Sequence, residues 1–173
     1  MTMTFQSFLL LITTAFVALP TAVSKAAEPA KPTLVDVQRI WDKAPHNAFT
    51  DLIRHKDLWY CVFREGSTHV SPDGSLRVIT SVDGKQWSSK ALISSATNDL
   101  RDAKITVTPQ GKLLLNGAGM IADAKIRYQS LSWLSSDDGV TWDNGHIIGH
   151  PGFWLWRVQW HNNLAYTFGY STE

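Results

Sequence analysis

The chain has one cysteine, Cys61, in 173 residues. No intramolecular disulfide can form, which excludes the stapled frameworks of small secreted domains. Charged residues are also scarce, at 18%, against roughly 25% in ordinary soluble domains. They balance to a formal net charge of +1, so there is no basic field to attract nucleic acid and no acidic tail. No apolar run reaches the ~20 residues of a membrane span; Phe8 to Leu19 stops at Pro20. Heptads, collagen triplets and low-complexity tracts are missing as well. What is plentiful is tryptophan, with eight residues, among β-branched and aromatic neighbours that suit β-structure.

The Phe8 to Leu19 run, followed by small residues, has the length of a signal-peptide core. Residues 1–27 are therefore expected to be an export signal, cleaved near Ala26 or Ala27, although Met1 to Gln6 carries no Lys or Arg. A buried helix and an uncleaved anchor are the competing readings. Cleavage would leave about 146 residues, roughly one domain, placed in the periplasm or outside the cell with no membrane attachment. Cys61 sits in the apolar run Leu58 to Phe63, where a free cysteine acts as a small buried hydrophobe. Residues 28–47 read as a linker, extended through Glu28-Pro29-Ala30-Lys31-Pro32, and then an N-terminal strand. Thr33 to Trp41 fits both helical and strand periods; the strand is preferred because all that follows is β.

Downstream the chain repeats. Phe49 to Phe63 turns at His55-Lys56-Asp57, Lys104 to Asn116 at Pro109-Gln110-Gly111, and Trp154 to Tyr170 at His161-Asn162-Asn163. Each is an apolar strand, a polar turn and a second strand. The first two are followed by a third strand, a Gly-Trp turn and a fourth, with Gly84 and Gly139 at equivalent places. Four-stranded units at a period near 50 residues are the mark of propeller blades.

The second Gly-Trp turn, Ser135-Ser136-Asp137-Asp138-Gly139-Val140-Thr141-Trp142, resembles the complete Asp-box (BNR repeat) of sialidase (neuraminidase)-like β-propellers. The first, Thr80 to Trp87, keeps the Ser/Thr, Gly and Trp positions when aligned on Trp87. It departs at the motif's aspartate, where Val82 stands and Asp83 follows one place later. The box is expected to be structural. Asp137, like Asp83, would accept hydrogen bonds from its own turn, with Ser135 beside it. Gly139 and Gly84 would take positive φ, and Trp142 and Trp87 would pack between strands. The resemblance implies an all-β fold, a partial six-bladed propeller of about two and a half four-stranded antiparallel blades over residues 48–173. Six blades of that size need roughly 330 residues. The expectation is therefore a truncated product or, failing that, identical chains that complete the ring.

In the resembled family, inner strands and the loops joining second to third strands line a central pocket. That maps to Asp51, Arg101 and Arg157 at strand starts and to the loop from Arg64 to Gly74. Arg64, Arg101, Asp51 and Arg157 are the substrate-binding candidates, because a guanidinium fork suits carboxylates and sugar hydroxyls. Glu65, His69 and Asp73 are the proton-transfer candidates, although Ser71-Pro72-Asp73-Gly74 reads first as a β-turn. Glu65 is also placed to orient Arg64. The sequence departs from true sialidases in having no arginine at Asn47 to Asp51, and Tyr166 and Tyr170 cannot be assigned as nucleophile. His146 and His150 lie four apart, but Gly149-His150-Pro151-Gly152 breaks a regular strand, so no metal or cofactor is expected. The functional expectation is the N-terminal portion of an exported glycoside hydrolase acting on carbohydrate or glycoconjugate, inactive alone. The alternative is a non-catalytic propeller binding glycans or proteins.

Overall fold

The computed structural model describes residues 31–121 and 125–172; the signal-peptide expectation lies outside them. No helix occurs among the described residues, and none is therefore long and apolar enough to cross a membrane. The chain divides into two units, Met1–Val37 and Gln38–Glu173. In the first, residues 31–37 form neither helix nor strand, and Leu34, Val35 and Val37 are exposed. The strand expected over Thr33 to Trp41 does not form. Its apolar residues meet no partner strand, and a strand without a ladder leaves its backbone unpaired.

The second unit is antiparallel β-structure. β1 (His46–His55), β2 (Leu58–Gly66), β3 (Ser75–Ser81) and β4 (Ser88–Ile93) make a four-stranded sheet in that order. β5 (Asp99–Val107), β6 (Leu113–Met120), β7 (Tyr128–Ser135) and β8 (His146–Ile148) make a second one with the same order. The expected hairpin turns form where the sequence provides left-handed backbone: Lys56 at φ 52°, Gly111 at 77°, and Asn162 and Asn163 at 48° and 61°. Two consecutive positive φ values are the signature of the tight hairpin turn that matches strand twist.

The third hairpin is not continuous. β9 (Phe153–Leu155) pairs with β12 (Gly169–Ser171), and β10 (Gln159–His161) with β11 (Leu164–Tyr166). Between them residues 156–158 leave the ladder. Trp154, Trp156 and Trp160 consequently do not share one face as a straight strand would require. Trp154 is buried while Trp156 is 40% exposed.

The two sheets pack through one core. Tyr60, Val62, Leu76 and Val78 of the first sheet meet Leu100, Ile105, Leu115 and Trp133 of the second. Full burial of such an aliphatic side chain contributes about 1.5–3 kcal/mol. Both inner strands carry the same irregularity. The β1–β2 register shifts between Ala48 and Asp51, and the β5–β6 register between Arg101 and Lys104. At these bulges Phe49 and Asp102 take φ of 63° and 51°. A bulge re-aims its side chain, and these two lie at the strand ends beside the loop that follows β2.

Candidate functional site

Arg64 anchors the region. Strand alternation points it to the side opposite Glu65, and its side chain is fully buried. Its Nε and Nη2 donate to Asp99 Oδ1 at 3.0 and 2.8 Å. Nη1 donates to the Thr68 carbonyl at 2.8 Å, and Nη2 to Ser71 O and Oγ at 3.2 and 3.1 Å. Arg64 thus ties the 66–74 loop to β5. The loop closes this tightly only because Gly74 lacks a side chain: a Cβ there would lie 1.8 Å from Asp99 Oδ1. Arg101 approaches the same carboxylate, with Nη1 3.8 Å from Oδ2, and Nη2 donates to the His69 carbonyl at 3.1 Å. Two guanidinium groups therefore flank one buried carboxylate, leaving a local excess of positive charge. Asp99 is the residue that the sequence reading missed, and nothing in its neighbours Asn98 and Leu100 marks it.

Glu65 does not orient Arg64, because adjacent strand residues face opposite ways. Its Oε1 accepts from the Trp41 indole N–H at 2.5 Å, and Oε2 from Arg77 Nη2 at 2.8 Å. Asp73 accepts from the Ser67 N–H at 3.0 Å and from the Ser67 hydroxyl. These bonds, the hydroxyl's first, hold its carboxyl well below the usual carboxylate range. The expected β-turn closes there, with Gly74 N–H donating to Ser71 O at 3.2 Å. Glu65 and Asp73 line one cavity of about 230 Å³ with Gly66 and Ser67. Both carboxylates are taken up by donors of the fold, Glu65 by Trp41 and Arg77 and Asp73 by Ser67.

His69 is exposed, its ring 5.3 Å from His46 and 5.4 Å from Phe49. Next to it, half-buried Asp102 has a raised pKa. Burial is the main cause, partly offset by Lys104, Arg101 and His69. The nearby Trp154 indole also favours the charged form, yet its N–H completes no hydrogen bond of ordinary geometry. Asp102 is thus the carboxyl here most inclined to retain a proton. A cavity of about 270 Å³ is lined by Asp99 together with Val70, Pro72, Ala96, Thr97 and Met120.

Asp51 and Arg157 find each other. Arg157 donates to the Asp51 carboxylate through Nη2 and, at 3.1 Å, through Nε. Asp51 Oδ2 also accepts the Ile105 N–H at 3.0 Å. One carboxylate therefore joins β1, β5 and the third hairpin. His146 pairs with Asp143 at 3.1 Å, and no group of three or more potential metal ligands occurs among the described residues.

The Gly-Trp turns match closely. Ser135 Oγ donates to Asp137 Oδ1 at 2.8 Å and accepts the Gly139 N–H at 2.9 Å. Thr141 donates to Asp137 through its N–H at 2.9 Å and its hydroxyl at 2.6 Å. Those bonds lower the Asp137 pKa to about 2. In the first turn Ser81 Oγ donates to Asp83 at 3.0 Å and accepts the Gly84 N–H at 2.8 Å. Lys85 and Gln86 N–H donate to Asp83 at 2.8 and 2.9 Å. This corrects the alignment on Trp87. Asp83 occupies the aspartate position after all, paired with Ser81, and the first turn is simply one residue shorter between Asp and Gly. Trp87 donates to Gly84 O at 2.9 Å, whereas the buried Trp142 N–H has no partner.

No protein-family model matches the chain, and no curated protein does. Among solved structures, the chain is similar to a protein of unknown function from Dyadobacter fermentans DSM 18053, with a TM-score of 0.53 and 20% identity. The match covers 65% of this chain and 39% of that one. At that identity the likeness concerns the fold alone.

Proposed function

We propose that this chain is the N-terminal portion of an exported, sialidase-like glycoside hydrolase acting on carbohydrate or glycoconjugate, its two sheets being successive blades of a six-bladed propeller. The observation that carries the reading is the pair of Ser-x-Asp/Gly/Trp turns. Each closes with the same Ser–Asp bond, Gly N–H to Ser bond and backbone N–H to Asp bond between the third and fourth strands of consecutive sheets. Glycoside hydrolysis needs one carboxyl that donates a proton and a second that acts as base or nucleophile. Glu65 and Asp73 share a cavity, but both carboxylates are taken up by donors of the fold itself, so the chain alone is inactive in this reading. The full-length protein is tested by release of reducing sugar from a panel of aryl glycosides and sialyl conjugates. Turnover by that protein, with none by residues 28–173, supports it; absence of turnover by both refutes it.

The commitment of Arg64 to the buried Asp99 and of Glu65 to Trp41 and Arg77 favours a second reading, a propeller that binds glycans without cleaving them. Binding on a glycan array without turnover selects it.

A further inference from the structure

The face of the first sheet turned away from the inter-sheet core carries Cys61, Phe63 and Ile79, covered by Ile40, Trp41 and Trp87. Register shows what this face corresponds to. Cys61 pairs with Ile79 across β2–β3, as Leu115 pairs with Trp133 across β6–β7. Leu115 and Trp133 are the residues that the second sheet presents to the first. Cys61 and Ile79 therefore occupy the place that, one repeat on, receives a neighbouring sheet. Here that place is taken by a segment with no ladder of its own, since residues 38–44 form no strand.

The substitution extends to the Asp-box. Tyr60 Oη donates to the Asp138 carbonyl at 3.0 Å and Lys56 Nζ to its carboxylate at 2.7 Å, so the first sheet grips the second box. At the first box, Gln38 Nε2 donates to the Lys85 carbonyl at 3.2 Å. The segment thus supplies an apolar cover and a donor to the turn, as a preceding sheet does, with the donor reaching the residue after the turn glycine instead of the one before it.

Side chains alone fasten it. The Trp41 ring centroid lies 6.2 Å from that of Phe63 and 5.5 Å from the Arg77 guanidinium. Glu65 joins the two sides, taking the Trp41 N–H on one oxygen and Arg77 on the other. A segment with few apolar contacts and no backbone ladder opens at lower free energy than the sheet beneath it.

We propose that residues Gln38–Trp41 are a built-in cover standing in for a neighbouring sheet, latched by Glu65, which opens locally and bares the Cys61 face while both sheets stay folded. This depends on the repeat geometry and not on any glycosidase activity, so failure of either reading leaves the other intact.

Cys61 reports the opening. While covered, its thiol is buried and its pKa is pushed up to about 11, first by burial and then by the Asp51 charge, so it is inert until exposed. The test is the rate of Cys61 modification by 5,5′-dithiobis(2-nitrobenzoate) on the whole chain in 0 to 1 M urea. The wild type is expected to react slowly, at a rate nearly independent of urea. Glu65→Gln, which breaks one side of the latch, is expected to react at least tenfold faster with unchanged far-UV circular dichroism. Trp41→Phe keeps an aromatic side chain but removes the indole N–H together with part of the covering ring, and is expected to shift the rate in the same direction. If Glu65→Gln does not fold, Trp41→Phe decides alone. Rates unchanged by the variants, or rates that climb with urea as steeply as global unfolding does, would overturn the proposal.

Discussion

The buried Arg64–Asp99 pair gives a sharp prediction for Arg64→Met. Methionine retains the aliphatic volume and removes all five hydrogen bonds that the guanidinium makes to Asp99, Thr68 and Ser71. It also strands a carboxylate whose side chain is 1% exposed. Removing one partner of a buried ion pair costs about 3–5 kcal/mol. Arg101, 3.8 Å from the other oxygen, offsets part of that, so the lower end, about 3 kcal/mol, is expected. A domain's whole stability is about 5–15 kcal/mol. With a slope near 2 kcal/mol per molar urea, the midpoint should fall by roughly 1.5 M at constant slope, read by tryptophan fluorescence. Asp99→Asn on the Arg64→Met background should recover much of the loss, because no buried carboxylate is then left without its main partner. The two changes should therefore be non-additive by more than about 1 kcal/mol. A substrate-binding arginine behaves differently: its removal leaves stability unchanged or improves it. A loss under about 1 kcal/mol, or additivity within about 0.5 kcal/mol, would refute the buried-pair account and return Arg64 to the open site.

Two further outcomes follow from the turns and the bulge. Gly139→Ala and Gly84→Ala both force a Cβ into positive φ, at about 1–2 kcal/mol. Gly139→Ala should cost more, since its Cβ would lie 3.3 Å from Leu113 Cδ1 and 3.4 Å from Tyr60 Cε1, whereas the nearest atom at Gly84 is 3.9 Å away; equal shifts in urea midpoint would contradict this. The carboxylates Asp137 and Asp102 should show opposite pH dependence. Asp137, lowered to about 2 in the folded chain, contributes stability that is complete above the unfolded value of about 4 and fades as pH falls through its folded one. Asp137→Asn should flatten acid denaturation in that window. Asp102, raised by burial, binds its proton more tightly when folded, so its contribution declines as pH rises above the ordinary carboxylate value. Asp102→Asn, which tolerates the positive φ, should be more stable than wild type at neutral pH and lose that advantage in acid.

The sequence by itself determined what is local. Alternating apolar residues, turn residues such as Asn162-Asn163 and the two Ser/Asp/Gly/Trp corners act within a few positions of one another. Strands, hairpins and box turns were therefore legible, and so was the Ser71–Gly74 turn. The displaced Asp83 was not, because one missing residue hides the pairing until Ser81 is seen to bond it. Only the tertiary structure decided which charges meet. Arg64 and Asp99 are 35 residues apart, and Asp51 and Arg157 are 106 apart; the first pair is made by the second sheet packing on the first, and the second by the third hairpin reaching β1, which no spacing encodes. Alternation along β2 turned Glu65 away from Arg64, and the fold brought Trp41 to it. Residues 33–41, whose pattern suits a strand, remained without a ladder because a strand exists only where a partner's backbone is free to receive it.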